Sequence, residues 1–162
     1  MKVFYAKVLG GLVVILGLMS VSFAQNVTTE ILEGAQDYSD RWVTYGRNYG
    51  AWRFIPDDEI NRDSVAGLRP VWIKQTGVTG GAFEVTALVN DGRMYLTTAN
   101  SHLIVVDPLT GDELWRYDHD FENVDLCCGP HNRGVALYED MVFYGTLDAR
   151  LIAFDAESGI QL

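Results

Sequence analysis

The sequence predicts an all-β fold made of propeller blades, and three observations carry that prediction. From Phe83 onward, short apolar runs are separated by tight-turn signals such as Asn90-Asp91-Gly92. One such unit then recurs. Met94-Tyr95-Leu96-Thr97-Thr98, His102-Leu103-Ile104-Val105-Val106-Asp107, Thr110-Gly111 and Leu114 align without a gap on Val142-Phe143-Tyr144-Gly145-Thr146, Arg150-Leu151-Ile152-Ala153-Phe154-Asp155, Ser158-Gly159 and Leu162, with 48 residues from Asp107 to Asp155. A multi-strand repeat of about 40–50 residues is the period of propeller blades, each a small sheet that buries its faces only against neighbours. Finally, the first copy ends in Trp115, whose apolar area suits locking one blade to the next. The second copy reaches Leu162, one position before its own tryptophan. The expectation is a partial propeller truncated within a blade. The exported part holds about three blades at that period, whereas closed propellers have about 4–8.

Residues 1–24 read as a secretory signal. Lys2 and Lys7 supply positive charge, residues 8–19 form an uncharged apolar run, and Ser22 and Ala24 are the small residues of a cleavage site. The run is short for a membrane span of about 20 residues, so cleavage and export to the periplasm are expected. Residues 25–40 read as an N-terminal arm with a helical turn around Ile31 to Tyr38. Residues 41–48 are aromatic and turn-rich. Residues 60–68 suggest a short helix capped by Asn61 or Asp63 and ended by Gly67. Pro70 then releases the chain into a strand at 71–75. Further strands are expected at 83–89, 93–98, 102–106, 113–117, 135–138, 141–146 and 150–154, with an acidic loop at 118–125.

The 22 acidic residues outnumber the 12 Lys and Arg, for a net charge of −10. With no basic stripe, the composition excludes a nucleic-acid partner. An acidic surface keeps a chain soluble or steers a basic protein partner.

The only two cysteines, Cys127 and Cys128, are adjacent, and Gly129-Pro130-His131-Asn132-Arg133-Gly134 follows them. Two readings of the pair stand. It packs as two small buried hydrophobes, or it closes a disulfide ring. The ring is strained, because a trans peptide holds neighbouring Cα atoms near 3.8 Å while a disulfide normally takes about 4.4–6.8 Å. Such strain persists where surrounding structure enforces it, often at a functional site, and an oxidising compartment permits the bond. His131 is a loop residue, since one histidine makes no metal site. No Cys-x-x-Cys-His haem motif occurs.

These residues resemble the pyrroloquinoline quinone (PQQ)-dependent alcohol dehydrogenases, the group of methanol and ethanol dehydrogenase large subunits. Trp42-x-x-Tyr45-Gly46-Arg47, Ile60-Asn61-Arg62-Asp63-x-Val65-x-x-Leu68, Val71-Trp72 and Thr76-Gly77 resemble the start of that family's mature chain. The stretch from Asp107 to Trp115 resembles its tryptophan-docking repeat. Cys127-Cys128-Gly129-Pro130-His131-Asn132-Arg133-Gly134 resembles its adjacent-cysteine motif, and the pattern continues from Gly145 to Asp155. The resemblance spans residues 41–162 and implies the first blades of an eight-bladed propeller with the quinone at its axis. It implies a Cys127–Cys128 disulfide against one face of PQQ, Arg133 paired with a cofactor carboxylate or quinone oxygen, and Glu84 hydrogen-bonded to the cofactor. A guanidinium is a natural fixed partner for a ligand with three carboxylates. Read without the resemblance, Arg133 is a strand-edge charge and Glu84 a solvated residue at a strand start. Ala87 departs from the family pattern, which has proline there.

The resemblance further implies oxidation of a primary alcohol, with electrons passing to a cytochrome c. The calcium or lanthanide ligands and the catalytic aspartate are expected in later blades, so this segment by itself is expected to be inactive. A homo-oligomer or a small subunit stays open as the assembly. The other reading is a non-enzymatic propeller scaffold of the outer-membrane-assembly type. It shares tryptophan-ended repeats but has no reason to keep adjacent cysteines beside Arg133.

Overall fold

A computed structural model describes residues 26–120 and 125–162, so the signal expected at residues 1–24 lies outside them. Two antiparallel sheets form where the repeat predicts them. The first has strands β1 (Leu88–Asn90), β2 (Arg93–Thr97), β3 (Leu103–Val106) and β4 (Glu113–Tyr117), in that spatial order. The second has β5 (Ala136–Tyr138), β6 (Met141–Gly145) and β7 (Leu151–Asp155). An isolated antiparallel bridge joins Phe154 to Gln161 beyond β7. The repeat holds down to the register: Met94 faces Val106 as Val142 faces Phe154, each 48 residues on.

The turn after the third strand is also common to both copies. Asp107 Oδ1 accepts from the Leu109 and Thr110 amides at 2.7 and 3.2 Å, and Asp155 Oδ1 accepts from the Ser158 amide at 2.7 Å. Each turn ends in a glycine with positive φ, Gly111 at 77° and Gly159 at 71°. Both glycines lie under a tryptophan. A Cβ on Gly159 would sit 2.6 Å from the Trp115 ring, and one on Gly111 would sit 2.7 Å from Trp72. The indole N–H donates to the same turn each time, Trp115 to the Ala156 carbonyl at 3.2 Å and Trp72 to the Pro108 carbonyl at 3.0 Å. Trp115 therefore packs between blades, as expected. Its ring meets Tyr95 edge-on at 6.4 Å and Phe154 at 6.0 Å.

Strand β3 is buried on both faces, as a central strand is when neighbours cover both sides of its sheet. Leu103, Val105, Val142, Tyr144 and Phe154 anchor the shared core, each worth about 1.5–3 kcal/mol of apolar burial. The arm also joins it. Val27 is 1% exposed and pairs with Glu139 in the turn between β5 and β6, while Trp42 pairs with Val89 of β1. The helical turn is α1 (Thr29–Glu33), capped by the Thr28 hydroxyl, followed by a 3-10 turn, Ala35–Asp37.

Three expectations change. Residues 71–75 alternate as a strand does, with Val71 and Ile73 exposed and Trp72 and Lys74 half-buried, but they have no ladder partner among the described residues. The 60–68 helix shrinks to a 3-10 turn, Val65–Gly67, although Asn61 caps the segment as expected: its Oδ1 accepts from the Asp63 and Ser64 amides and its carbonyl from the Val65 amide. Residues 83–87 stay outside the sheet and run beside the cysteine loop, where the Thr86 amide donates to the Arg133 carbonyl at 3.4 Å.

Trp115→Ala should destabilise the protein by about 3 kcal/mol, the low end for a packed aromatic removed to alanine. Gly159→Ala should displace the same ring. In urea unfolding, the double variant should lose less than the sum of the single losses; additive losses would mean that the ring and the turn do not act together.

Candidate functional site

The ladders place four chain segments at one end of the two sheets. Leu103 at the start of β3 faces Tyr117 at the end of β4, and Gly145 at the end of β6 faces Leu151 at the start of β7. The lead-in to β1, the exit from β4, the lead-in to β5 and the β6–β7 turn therefore share that end. These segments carry Glu84, His119, Cys127 to Arg133, and Asp148.

Glu84 and Arg133 are brought together across 49 residues of chain. Glu84 Oε2 accepts from Arg133 Nε at 3.2 Å and Nη2 at 3.0 Å. The pair is open to solvent, with 70% of the arginine side chain and 36% of the glutamate exposed. One step along, Arg53 Nη2 donates to the Thr86 hydroxyl at 3.4 Å. The cysteine sulfurs lie 3.0 Å apart as exposed free thiols. Their mutual contact raises the Cys128 thiol above its ordinary value, and the Arg133 charge acts the other way. Asn132 ties down the end of this loop. Its Nδ2 donates to the Gly145 carbonyl at 2.9 Å, and its Oδ1 accepts from the Gly134 amide at 3.1 Å.

At the same end of the sheets lies a second network, centred on buried His119, that the sequence reading did not find. His119 Nε2 meets Asp148 Oδ1 at 2.9 Å, and its Nδ1 meets the Tyr117 hydroxyl at 2.9 Å. Asp148 also accepts from the Thr146 hydroxyl and pairs with Arg150 Nε at 3.0 Å. The Thr146 hydroxyl, and then His119, hold the Asp148 carboxyl down at about 2 against desolvation. The sequence held no local signal for this set, since its members come from two blades. Asn132 lay inside the quoted motif but was given no role.

With this geometry in place, comparison with known proteins decides the family. The model described as "PQQ: Glucose/ethanol/alcohol dehydrogenase, beta-propeller domain" matches residues 42–162. The chain belongs to this family. It is 41% identical over 145 residues to the "Alcohol dehydrogenase (quinone), dehydrogenase subunit" of Komagataeibacter europaeus, covering 88% of this chain and 20% of that protein. A solved quinohemoprotein alcohol dehydrogenase of Pseudomonas putida superposes with a TM-score of 0.78 at 32% identity, over 85% of this chain and 20% of that one. A europium-containing methanol dehydrogenase gives 0.70 at 28% identity, over 82% of this chain and 24% of that one. This PQQ-family chain thus spans about a fifth of the relatives it matches.

The residues present suit an anionic planar quinone. An exposed guanidinium held by one carboxylate can turn to a ligand carboxylate, and the sulfur pair offers a polarizable surface beside it. Among the described residues, no group of three or more His, Cys, Asp or Glu is arranged to hold a metal ion.

Asp148 makes the fold sensitive to acid in one direction. Its folded value, about 2, lies below the ordinary 3.8, so its contribution is complete above that ordinary value and is lost as pH falls toward 2. The groups facing it are Thr146, His119 and Arg150, with Tyr117 behind the histidine. In acid titrations followed by circular dichroism, the stability gap between wild type and Asp148→Asn should be constant at neutral pH and vanish near pH 2. A gap that does not change with pH would show that the carboxylate's ionisation is not what the network uses.

Proposed function

We propose that this chain forms one wall of the PQQ pocket in an exported alcohol dehydrogenase that oxidises primary alcohols to aldehydes and passes electrons to a cytochrome c. The observation that carries the reading is the Glu84–Arg133 pair, assembled from two connections at the end of the sheets that also holds the adjacent cysteines. When bound, PQQ supplies the two-electron, two-proton acceptor that the alcohol needs. Arg133 would hold a cofactor carboxylate or quinone oxygen, Glu84 would orient Arg133 and hydrogen-bond to the cofactor, and Cys127 and Cys128, free thiols 3.0 Å apart here, would face it as the disulfide that an oxidising compartment forms. The calcium or lanthanide ion and the proton-accepting aspartate belong to chain beyond this segment. The relative's designation as a dehydrogenase subunit supports assembly with further subunits. Residues 1–24 direct export to the periplasm.

In the full-length protein, Arg133→Gln should weaken PQQ binding by about 10–100-fold, the loss of a charge-assisted contact of roughly 1.5–3 kcal/mol. Titration of apo-protein with PQQ, followed by fluorescence quenching, measures this. Unchanged affinity would remove Arg133 from the pocket.

The 162-residue chain alone should reduce no dye when given PQQ and a primary alcohol. Turnover by the purified chain would overturn the division of labour described here.

A further inference from the structure

The cysteine-bearing end of the sheets holds one buried network that the proposed function does not use. His119 is 7% exposed and lies between Tyr117 and Asp148 at 2.9 Å from each. The internal repeat supplies a control for what an ordinary blade seam needs. Trp72 docks on Gly111 as Trp115 docks on Gly159. The turn before the third strand is the same in both blades: the Thr98 amide donates to the His102 carbonyl at 3.0 Å, and the Thr146 amide to the Arg150 carbonyl at 2.9 Å. In that register Asn100 stands where Asp148 does, 48 residues earlier. Thr76 follows Trp72 by four residues, as His119 follows Trp115.

Thr76 makes no side-chain clamp. Its hydroxyl accepts from the Val78 amide at 3.3 Å within its own segment, a cavity of about 40 Å³ stays open between it and Thr98 and Ala99, and the seam is tied there through the backbone instead, the Thr76 carbonyl accepting from Arg116 Nη2 at 3.2 Å. A seam of this fold therefore closes without a histidine–carboxylate pair. Of the two seams among the described residues, the pair is present at the one whose outgoing connection carries Cys127 and Cys128. That connection leaves β4 after Tyr117 and enters β5 at Ala136, with His119 near its start and Asn132 near its end. Both residues bind the same hairpin of the second blade, His119 through Asp148 and Asn132 through the Gly145 carbonyl. Asp148 is itself fixed by Thr146 and Arg150, so the imidazole cannot carry it along.

We propose that His119 is a positioning residue for the cysteine pair: with Asn132 it pins both ends of the connection to the second blade and so sets where Cys127 and Cys128 lie. Pinning both ends removes conformers from the loop before a ligand arrives, and preorganisation of this kind raises affinity without a new contact. The effect on PQQ affinity rests on the function proposed above; the effect on the loop does not.

Two readouts in the full-length protein test it. Hydrogen exchange in the apo-protein should speed up by about tenfold across residues 125–134 in His119→Ala, the equivalent of one charge-assisted hydrogen bond, with β6 unchanged. The Kd for PQQ should rise by about the same factor while kcat at saturating PQQ holds. His119→Gln, whose amide still donates to Asp148, should restore both. Val142→Ala, a core loss in β6, controls for general destabilisation. If His119→Ala leaves loop exchange at the wild-type rate, or if Val142→Ala loosens the loop equally, the positioning role is overturned. A protein that binds no PQQ but shows the exchange pattern would sink the cofactor reading and keep the clamp. Should His119→Ala not fold, Asp148→Ala, which removes the acceptor for the imidazole, gives the same exchange test, and unchanged loop exchange there overturns the clamp as well.

Discussion

The indole of Trp115 lying over the bare backbone of Gly159 is the contact on which the rest of this structure depends. A small sheet has two apolar faces and cannot bury either alone. The missing Cβ lets the ring close onto the turn, and the hydrogen bond to the Ala156 carbonyl fixes its orientation. Together they set the separation and rotation of one blade against the next. Trp72 repeats the contact on Gly111, so residues 71–75 hold a strand's position on the first blade without a ladder. Once the seam is set, the connections at one end of the sheets have only one place to meet. Glu84 reaches Arg133, and His119 reaches Asp148, because the blades above them are already in register.

Much of the fold was legible because its rules are local. Alternation and turn chemistry act over a few residues, and the 48-residue repeat gave each strand a second witness. The shared register of Met94 with Val106 and Val142 with Phe154 follows from it. The reading failed where a neighbour absent from the local pattern decides the state. Residues 71–75 have a strand's alternation and lack a partner. Residues 83–87 have a strand's composition but are drawn to the Arg133 backbone. At residues 60–68 the Asn61 cap forms, but the turn it starts runs only to Gly67, and every residue of it but Ser64 is exposed, so no packed face extends it into a helix.

The candidate site was legible only through resemblance. Composition and spacing pointed to the cysteine pair, but nothing in them joins Glu84 to a charge 49 residues away. His119 and Asp148 were invisible for the same reason. Asp148 reads as a polar turn residue and His119 as part of an acidic loop. Their chemistry exists only once the seam brings two blades together and excludes water from the pair.

The two ion pairs at this end of the molecule are built for different tasks. Glu84–Arg133 is exposed, and an exposed pair contributes about 0–1 kcal/mol, too little to explain its assembly from distant segments as a matter of stability. Its low cost of opening is what a ligand site needs, because an incoming carboxylate can take the guanidinium with little to displace. His119–Asp148 is the reverse. With the histidine side chain 4% exposed and the carboxylate 10%, removing either partner strands a polar group where water does not reach it readily. The exchangeable contact is therefore the exposed one and the fixed contact the buried one, at the start of the connection that carries the cysteines. In the proposed pocket, a loop loose at its foot would spend the affinity of Arg133 on ordering itself, and a pinned one would leave that affinity for the ligand.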